Sequence, residues 1–399
     1  MPNVLSCSEK YEKEYQSMLT PGKSLLILGV HLNSEAYPNT RFRLQDLKQS
    51  DKFDVSEINC PMSGHNLSSS RGVFGKVAAV VRGMLAHLVV IARYALSAKP
   101  DYVYVPYPAV FVLYLISWLP GRFRSVRIFT DAFISIYDTV VNDRSLLKRE
   151  SLAARLLYRI EKKAYALSTR IIVDTPQNAR YLGALFSLHE SKVTAIPLST
   201  DEINFRPASY SGGMQGECRV LFVGTLVPLH GIETILEAAA ILSDRKDIVF
   251  RIIGDGQDAR KIEAWKSRHD VPLQWVRAWQ SSEVVAREIL NSDICLGIFG
   301  AGDKTQRVCP FKFYAYAAIG RPVITGATAW TRDVLKADGE RFFETVPVAD
   351  AVALAERISR LAGDSGMRKS LAIGSRNFYE KNLSNKIANE LLANCISSF

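Results

Sequence analysis

The 399-residue chain is short of the residues that would tie it to a metal or to an oxidising compartment. Its six cysteines (Cys7, Cys60, Cys218, Cys295, Cys309, Cys395) are scattered without a CxxC pair, which disfavours a disulfide framework or a zinc ribbon and leaves reduced, packed thiols as the expectation. The six histidines form no HxH or HExxH pattern, so no protein-held metal is expected. No GxGxxG follows the first strand-like run, which disfavours a nicotinamide-dependent enzyme. Residues 1–23 alternate charges and lack the apolar run of a secretory leader, so a cytoplasmic location is expected. Acidic residues are scarce in the first half: residues 1–200 hold 25 basic and 16 acidic side chains, against 25 and 24 in residues 201–399. The first half must therefore meet something negative. No zinc finger, RNP-like aromatic motif or arginine-rich stripe points to nucleic acid, which leaves an anionic membrane surface or a diphosphate-bearing substrate.

The length exceeds what one hydrophobic core usually serves, and 48% hydrophobic residues suffice for two cores of similar size. Apolar runs at "KSLLILGV", "FDVSEIN", "DYVYVPY", "VRIFTD", "RIIVDT" and "KVTAIPL", spaced by stretches long enough for helices, have the rhythm of an α/β sheet. The rhythm restarts at "RVLFVG" and continues through "IVFRIIGDG", "LQWVRA", "DICLGIFG" and "RPVITG". The expected organisation is a first domain over 1–207, a Gly/Ser-rich linker over 208–218, a second domain over 219–380, and a terminal segment 381–399 that crosses back to the first. Two such domains facing each other place ligands in the cleft, at the carboxyl ends of their strands.

Two apolar stretches, 84–97 and 103–119, admit two readings. Pro106 and Pro108 break the second into a strand and a helix too short for a bilayer core of about 30 Å. Both stretches then read as core helices. In the other reading, the segment 109–127 also rests on an anionic membrane through Phe111, Tyr114, Leu115, Trp118 and Leu119 beside Arg122, Arg124 and Arg127.

Chemistry is suggested by four strand-turn-helix units with glycine: "VLFVGTLVPLHGIETILEAAAIL", "RIIGDGQD", "VRAWQSSEVVAREILNSDICLGIF", and "CPFKFYAYAAIGRPVIT" with its upstream loop "GAGDKTQRVCP". Each is weak alone. In this order they resemble the second domain of GT-B fold glycosyltransferases of family 4, retaining enzymes that use nucleotide sugars. "IIVDTPQNARYL" and "KVTAIPLSTDEINFRP" extend the resemblance into the first half. The resemblance implies two Rossmann-like domains and a nucleotide-diphosphate sugar as donor; the basic first half and the segment 109–127 point to a glycan or lipid-linked saccharide as acceptor, as in surface polysaccharide assembly. The resemblance implies no cofactor.

The family's donor residues fall on changed positions here. Its diphosphate-binding arginine and lysine correspond to Thr225 and His230, and its two glutamates to Arg307 and Ala315. A branch marked by "GTLVPLHG" and a P-x-K helix start shares the threonine, histidine, arginine and lysine. The expected donor site then comprises Gly224, Thr225, His230, Gly254, Asp255, Gly256, Trp279, Lys304, Arg307, Val308 and Lys312. Within it Lys304, Arg307 and Lys312 supply the displaced positive charge, and the grip on the ribose is loosened unless water, Tyr314 or Tyr316 replaces the missing carboxylate. Asp131, where the family has a histidine at the end of a central strand, and His230 are the candidate catalytic groups. Asn39 and Arg41, from a loop "PNTRF" after the first strand, and Asp138 are expected on the acceptor side. For Asp131 and Asp138 a purely loop-ordering role is equally open, as is helix capping for Asp255 and packing for Trp279. The changed positions also admit a second class of function, a glycosyltransferase-like binding or scaffold protein with weak or no activity.

Overall fold

A run such as Leu25-Leu26-Ile27-Leu28 can shed all its side chains from water only as a central strand with both faces covered, and all four are buried. In a computed structural model that describes residues 22–31, 38–61, 73–213, 216–269, 271, 273–338 and 342–399, this run is β1 (Lys23–Gly29) of a six-stranded parallel sheet. The amino-terminal segment with Cys7, and residues 214–215 of the expected linker, lie outside the described residues.

The first sheet adds β2 (Phe53–Asn59), β3 (Tyr102–Val105), β4 (Arg127–Asp131), β5 (Arg170–Val173) and β6 (Val193–Ala195), in the order β2-β1-β3-β4-β5-β6. The second holds β7 (Cys218–Val223), β8 (Ile248–Ile253), β9 (Leu273–Val276), β10 (Ile294–Leu296), β11 (Val323–Gly326) and β12 (Glu344–Val346), in the order β12-β11-β10-β7-β8-β9. All pairings are parallel, with β7 and β8 in register from Cys218 opposite Ile248 to Val223 opposite Ile253. The strand order reverses between β7 and β10, so the loop leaving β7 opens at the switch point where ligands bind in such sheets. The two doubly wound domains expected from the sequence are present. β12 was not foreseen, because three residues carry too little pattern to announce a strand.

Helices cover both faces of each sheet. On the first sheet, Val73–Leu96, Val110–Ile116 and Leu152–Leu167 pack one face through Val90, Tyr94, Leu113 and Tyr165. The other face carries Pro38–Lys48 and the last helix, Asn385–Ser397, whose Ala388, Leu392 and Ile396 meet Leu25, Ile27 and Phe129.

The structure corrects two local expectations. "PNTRF" is the first turn of a helix rather than a loop, consistent with Pro38 occupying the first helical position, where its missing N–H costs nothing. The segment 109–127 is mostly packed: Tyr114, Leu115 and Leu119 lie against the core, and only Phe111 and Trp118 of its large apolar residues are exposed. The larger exposed apolar surface is on the preceding helix, Val73–Leu96, where the sequence suggested only a core helix.

Candidate functional site

β7 and β8 lead directly into Gly224 and Gly254, at φ of 147° and 146°. A Cβ on Gly254 would stand 2.0 Å from the Gly224 carbonyl oxygen, so the two loops can lie together only with a glycine at 254. Leu226 donates its amide to the Asp255 carbonyl at 3.0 Å, which ties the loop 224–231 to the turn 254–256. The Asp255 carboxylate accepts from the Gly256 amide at 2.8 Å and from Arg277 Nε at 3.1 Å. Beyond β9, Trp279 is 69% exposed, so packing does not explain it.

The third wall is the helix Phe311–Ile319. Lys312, in its first turn, is buried; its Nζ has no hydrogen-bond partner and lies 3.8 Å from the Phe222 ring centroid. A Cβ on Gly224 would meet Lys312 Cε at 2.9 Å, so the bare glycine is what lets the amine reach the loop. Burial pushes the Lys312 amine well below its ordinary 10.5. Beside it, His230 Nδ1–H donates to the Thr225 carbonyl. Burial first, and then the Lys312 charge, hold the imidazole well below 6.5, so the ring is neutral with Nε2 bare. The helices beginning at Ile232 and Phe311 have no side-chain cap at Gly231 or Pro310; the third amide of each, Thr234 N and Phe313 N, turns back to the Gly231 and Pro310 carbonyls at 3.1 and 2.8 Å, which leaves the first two amides of each helix to face an anion. An amine, a neutral imidazole and two helix starts without side-chain caps gather around one glycine loop, a set of groups suited to an anion.

The other expected cations are already engaged. One Arg307 nitrogen, Nη2, contacts both Asp138 oxygens at 2.8 and 2.9 Å, and Nη1 donates to Asn178 Oδ1 at 3.0 Å. Its guanidinium stacks 3.5 Å from the Tyr181 ring centroid, while the Tyr181 hydroxyl donates to Asp138 at 2.7 Å. Lys304 reaches Thr139 at 3.0 Å and Asp143 at 3.2 Å. Burial works against the Asp138 charge, but Arg307 and Lys304 outweigh it and hold the carboxyl below 3.8. Arg307, Lys304 and Asp138 thus join the domains to each other, whereas the sequence had divided them between donor and acceptor. Val308 is buried in the same loop, and the next amide, Cys309 N, donates to Asp174 at 3.1 Å.

Asp131 is fully buried, with one carboxylate oxygen shared by Asn39, Arg43 and Tyr104, each at 3.2 Å. Asn39 also accepts from the Ser199 amide at 2.8 Å, so Asp131 and Asn39 brace the helix Pro38–Lys48, while the second Asp131 oxygen is buried without a hydrogen-bond partner. Arg41 is exposed on that helix. Tyr314 and Tyr316 do not replace the ribose carboxylate, because their buried hydroxyls accept the amides of Leu198 and Val223 at 3.1 and 3.0 Å. Ala315, between them, is buried as well.

Sequence reasoning missed the segment Asp174–Tyr181. Burial pushes the Asp174 carboxyl up to about 6, Thr175 donates to the Arg307 carbonyl, and Gln177 binds Asp333 at 2.7 Å. The only signal was "DTPQN", a helix-start motif whose threonine caps the Asn178 amide and whose neighbours point across the cleft. Among the described residues, no group of three His, Cys, Asp or Glu is placed to hold a metal ion.

Residues 217–364 match the family model described as glycosyl transferases group 1. No curated protein sequence matches the chain. Among solved structures, Anabaena HepE in complex with UDP aligns with a TM-score of 0.65 at 11% identity, covering 94% of this chain and 100% of that one. Sucrose-phosphate synthase from Thermosynechococcus elongatus gives 0.67 at 14%, covering 94% and 98%. WaaG, described as a glycosyltransferase involved in lipopolysaccharide biosynthesis, gives 0.61 at 14%, covering 94% and 100%. The chain is a GT-B fold protein whose second domain is related to the glycosyl transferases of group 1.

Proposed function

We propose that the protein is a nucleotide-sugar-dependent glycosyltransferase, and that the donor diphosphate lies in the pocket formed by Gly224, Thr225, His230 and Lys312. The observation that carries this reading is the Lys312 amine, buried and unpartnered against the glycine loop. A buried ammonium without a counter-charge is costly, and a diphosphate would supply that charge along with acceptors for the Thr225 hydroxyl and the first-turn amides. UDP in the HepE complex makes the uridine nucleotide the first to try. The exposed Trp279 offers a ring face to the base. At the ribose, position 315 is an alanine and supplies no carboxylate, so the grip there is looser by charge-assisted hydrogen bonds of about 1.5–3 kcal/mol each.

The reaction fits transfer with retention. The departing phosphate accepts the acceptor's proton while the sugar passes through an oxocarbenium-like state, and the protein's task is to stabilise the leaving diphosphate. Lys312 does that through its charge and the loop through its amides. This reading requires no protein nucleophile and leaves Asp131 in its bracing role. The acceptor is a glycan or a lipid-linked saccharide, and the protein works peripherally at the inner face of a membrane, as in surface polysaccharide assembly.

Calorimetric titration with UDP, GDP, dTDP and ADP at fixed salt tests the reading. One nucleotide should bind selectively, and Lys312→Ala should weaken it about 10- to 100-fold, the loss expected for a charge-assisted contact. If the folded protein binds none of the four, the donor site does not exist, and the scaffold reading takes its place.

A further inference from the structure

The helix Val73–Leu96 is held to the first sheet along one edge, by Ala79, Ala86, Val90 and Tyr94, the last anchored by its hydroxyl to the Phe123 carbonyl at 3.0 Å. Its opposite face is apolar yet faces water. Met84 is 64% exposed and Leu88 54%, with Val81, Leu85 and Leu96 on the same side. Only about a third of Ala78–Leu96 is buried. Phe111, edge-on to His87, and the 67% exposed Trp118 extend this surface across the next helix. Contiguous apolar surface of this kind marks an interaction site rather than the scattered single residues any surface tolerates.

The charges around the patch identify the occupant. Arg82, Arg93, Lys99, Arg122 and Arg124 flank it and are exposed. Asp101 is the single acidic residue between positions 73 and 127, and its carboxylate is engaged by Ser24. Lys163 lies 3.5 Å from the Trp118 ring centroid, an aromatic-plus-cation pairing suited to a headgroup layer. A second copy of the chain would bring the same arginines against one another, whereas anionic headgroups would neutralise them. The packed edge keeps the helix parallel to the sheet, which suits lying in an interface and not crossing it.

We infer that the exposed face of Val73–Leu96, with Phe111 and Trp118, is the surface on which the protein seats itself in an anionic lipid bilayer. This deepens the peripheral location proposed above and is independent of sugar transfer. It replaces the segment 109–127 as the main contact, leaving that segment at the rim.

The test is co-sedimentation of the full chain with vesicles of phosphatidylcholine alone or containing about a third phosphatidylglycerol, at low and high salt. Binding is expected to need phosphatidylglycerol, to weaken with salt, and to fall at least about tenfold in Met84→Glu/Leu88→Glu and several-fold in Arg122→Glu/Arg124→Glu. Light scattering after size exclusion and nucleotide titration run alongside. If the double glutamate variant does not fold, Leu88→Gln replaces it. Failure to pellet with either vesicle, or equal pelleting of wild type and variants, overturns the proposal. So does a dimer that the apolar-face variants split, since the face would then join two copies. Vesicle binding without nucleotide binding would sink the donor reading and leave this one standing.

Discussion

Lys312 and His230 share one pocket, and their protonation depends on what enters it. The folded Lys312 amine has a pKa below its ordinary 10.5, so below that pH the unfolded chain carries a proton that the folded chain resists. The residue therefore costs stability at neutral pH, and the cost fades as pH rises toward 10.5. Lys312→Met should raise the unfolding free energy of the ligand-free protein by about 1–3 kcal/mol near pH 7.5, with the gain shrinking toward pH 10. A gain independent of pH would mean that packing, not titration, is responsible. His230 has the same sign in a lower window: its folded value lies below 6.5, so stability falls as pH drops through 6.5. A bound diphosphate reverses the balance, because a nearby anion favours both cations. Nucleotide binding near pH 7.5 should then be accompanied by net proton uptake, read from the slope of calorimetric enthalpy against buffer ionisation enthalpy. Lys312→Met should flatten that slope, and an unchanged slope would move the anion elsewhere.

At the scale of elements, the Asp138–Asp143 turn and the helix Pro176–Phe186 of one domain grip the loop 303–309 of the other. Arg307 and Asp138 are 169 positions apart and both buried, so removing one strands the other without water. Asp138→Asn should destabilise the protein by about 3–5 kcal/mol, and the double change Asp138→Leu/Arg307→Met should recover most of that, because an apolar pair strands no charge. Thermal unfolding of the three variants decides it, and a neutral Asp138→Asn would show that the domains do not lean on this pair. Arg307 and Lys304 hold the Asp138 carboxyl below 3.8, so its contribution stays intact at pH 5 and disappears only as pH falls below 4. The same contacts show where sequence reading stops. A strand such as Leu25–Leu28 announces itself in four adjacent residues, and "FVG" and "GDG" mark the loops by glycine. A lysine, an arginine and another lysine within nine residues look like one cationic set. Only the tertiary structure shows that Lys304 and Arg307 are paired with distant aspartates and Lys312 with nothing. The outward face of Val73–Leu96 was hidden for a related reason, since apolar content predicts burial and does not say which side the sheet takes.

For the molecule as a whole, the path of the chain matters more than any single contact. After finishing the second sheet at β12 and passing through Ala351–Gly363 and Ser365–Phe378, it returns to the first domain with Asn385–Ser397. Thr200 and Asn385 exchange two hydrogen bonds where the chain crosses, at 2.8 and 2.9 Å, and Tyr379 holds Glu202 at 2.6 Å. Ala388, Leu392 and Ile396 then cover Leu25, Ile27 and Phe129, side chains on the sheet face that the helix Pro38–Lys48 leaves partly open. The first domain is thus completed by a helix that follows the whole second domain in chain order, and the domains cannot be separated at the linker without cost. Burying each large aliphatic or aromatic side chain is worth about 1.5–3 kcal/mol, and losing this helix uncovers several at once. That sum is comparable with the whole stability of a typical domain. A fragment ending at residue 207 should therefore be insoluble or bind hydrophobic dyes, whereas 208–383, whose sheet keeps its own helices on both faces, should fold and retain nucleotide affinity within about tenfold of the full chain. Supplying 384–399 as a separate peptide to the first fragment should restore solubility. If the fragment is monodisperse without it, the returning helix is ornament, and the coupling between domains rests on the charged contacts across the cleft alone.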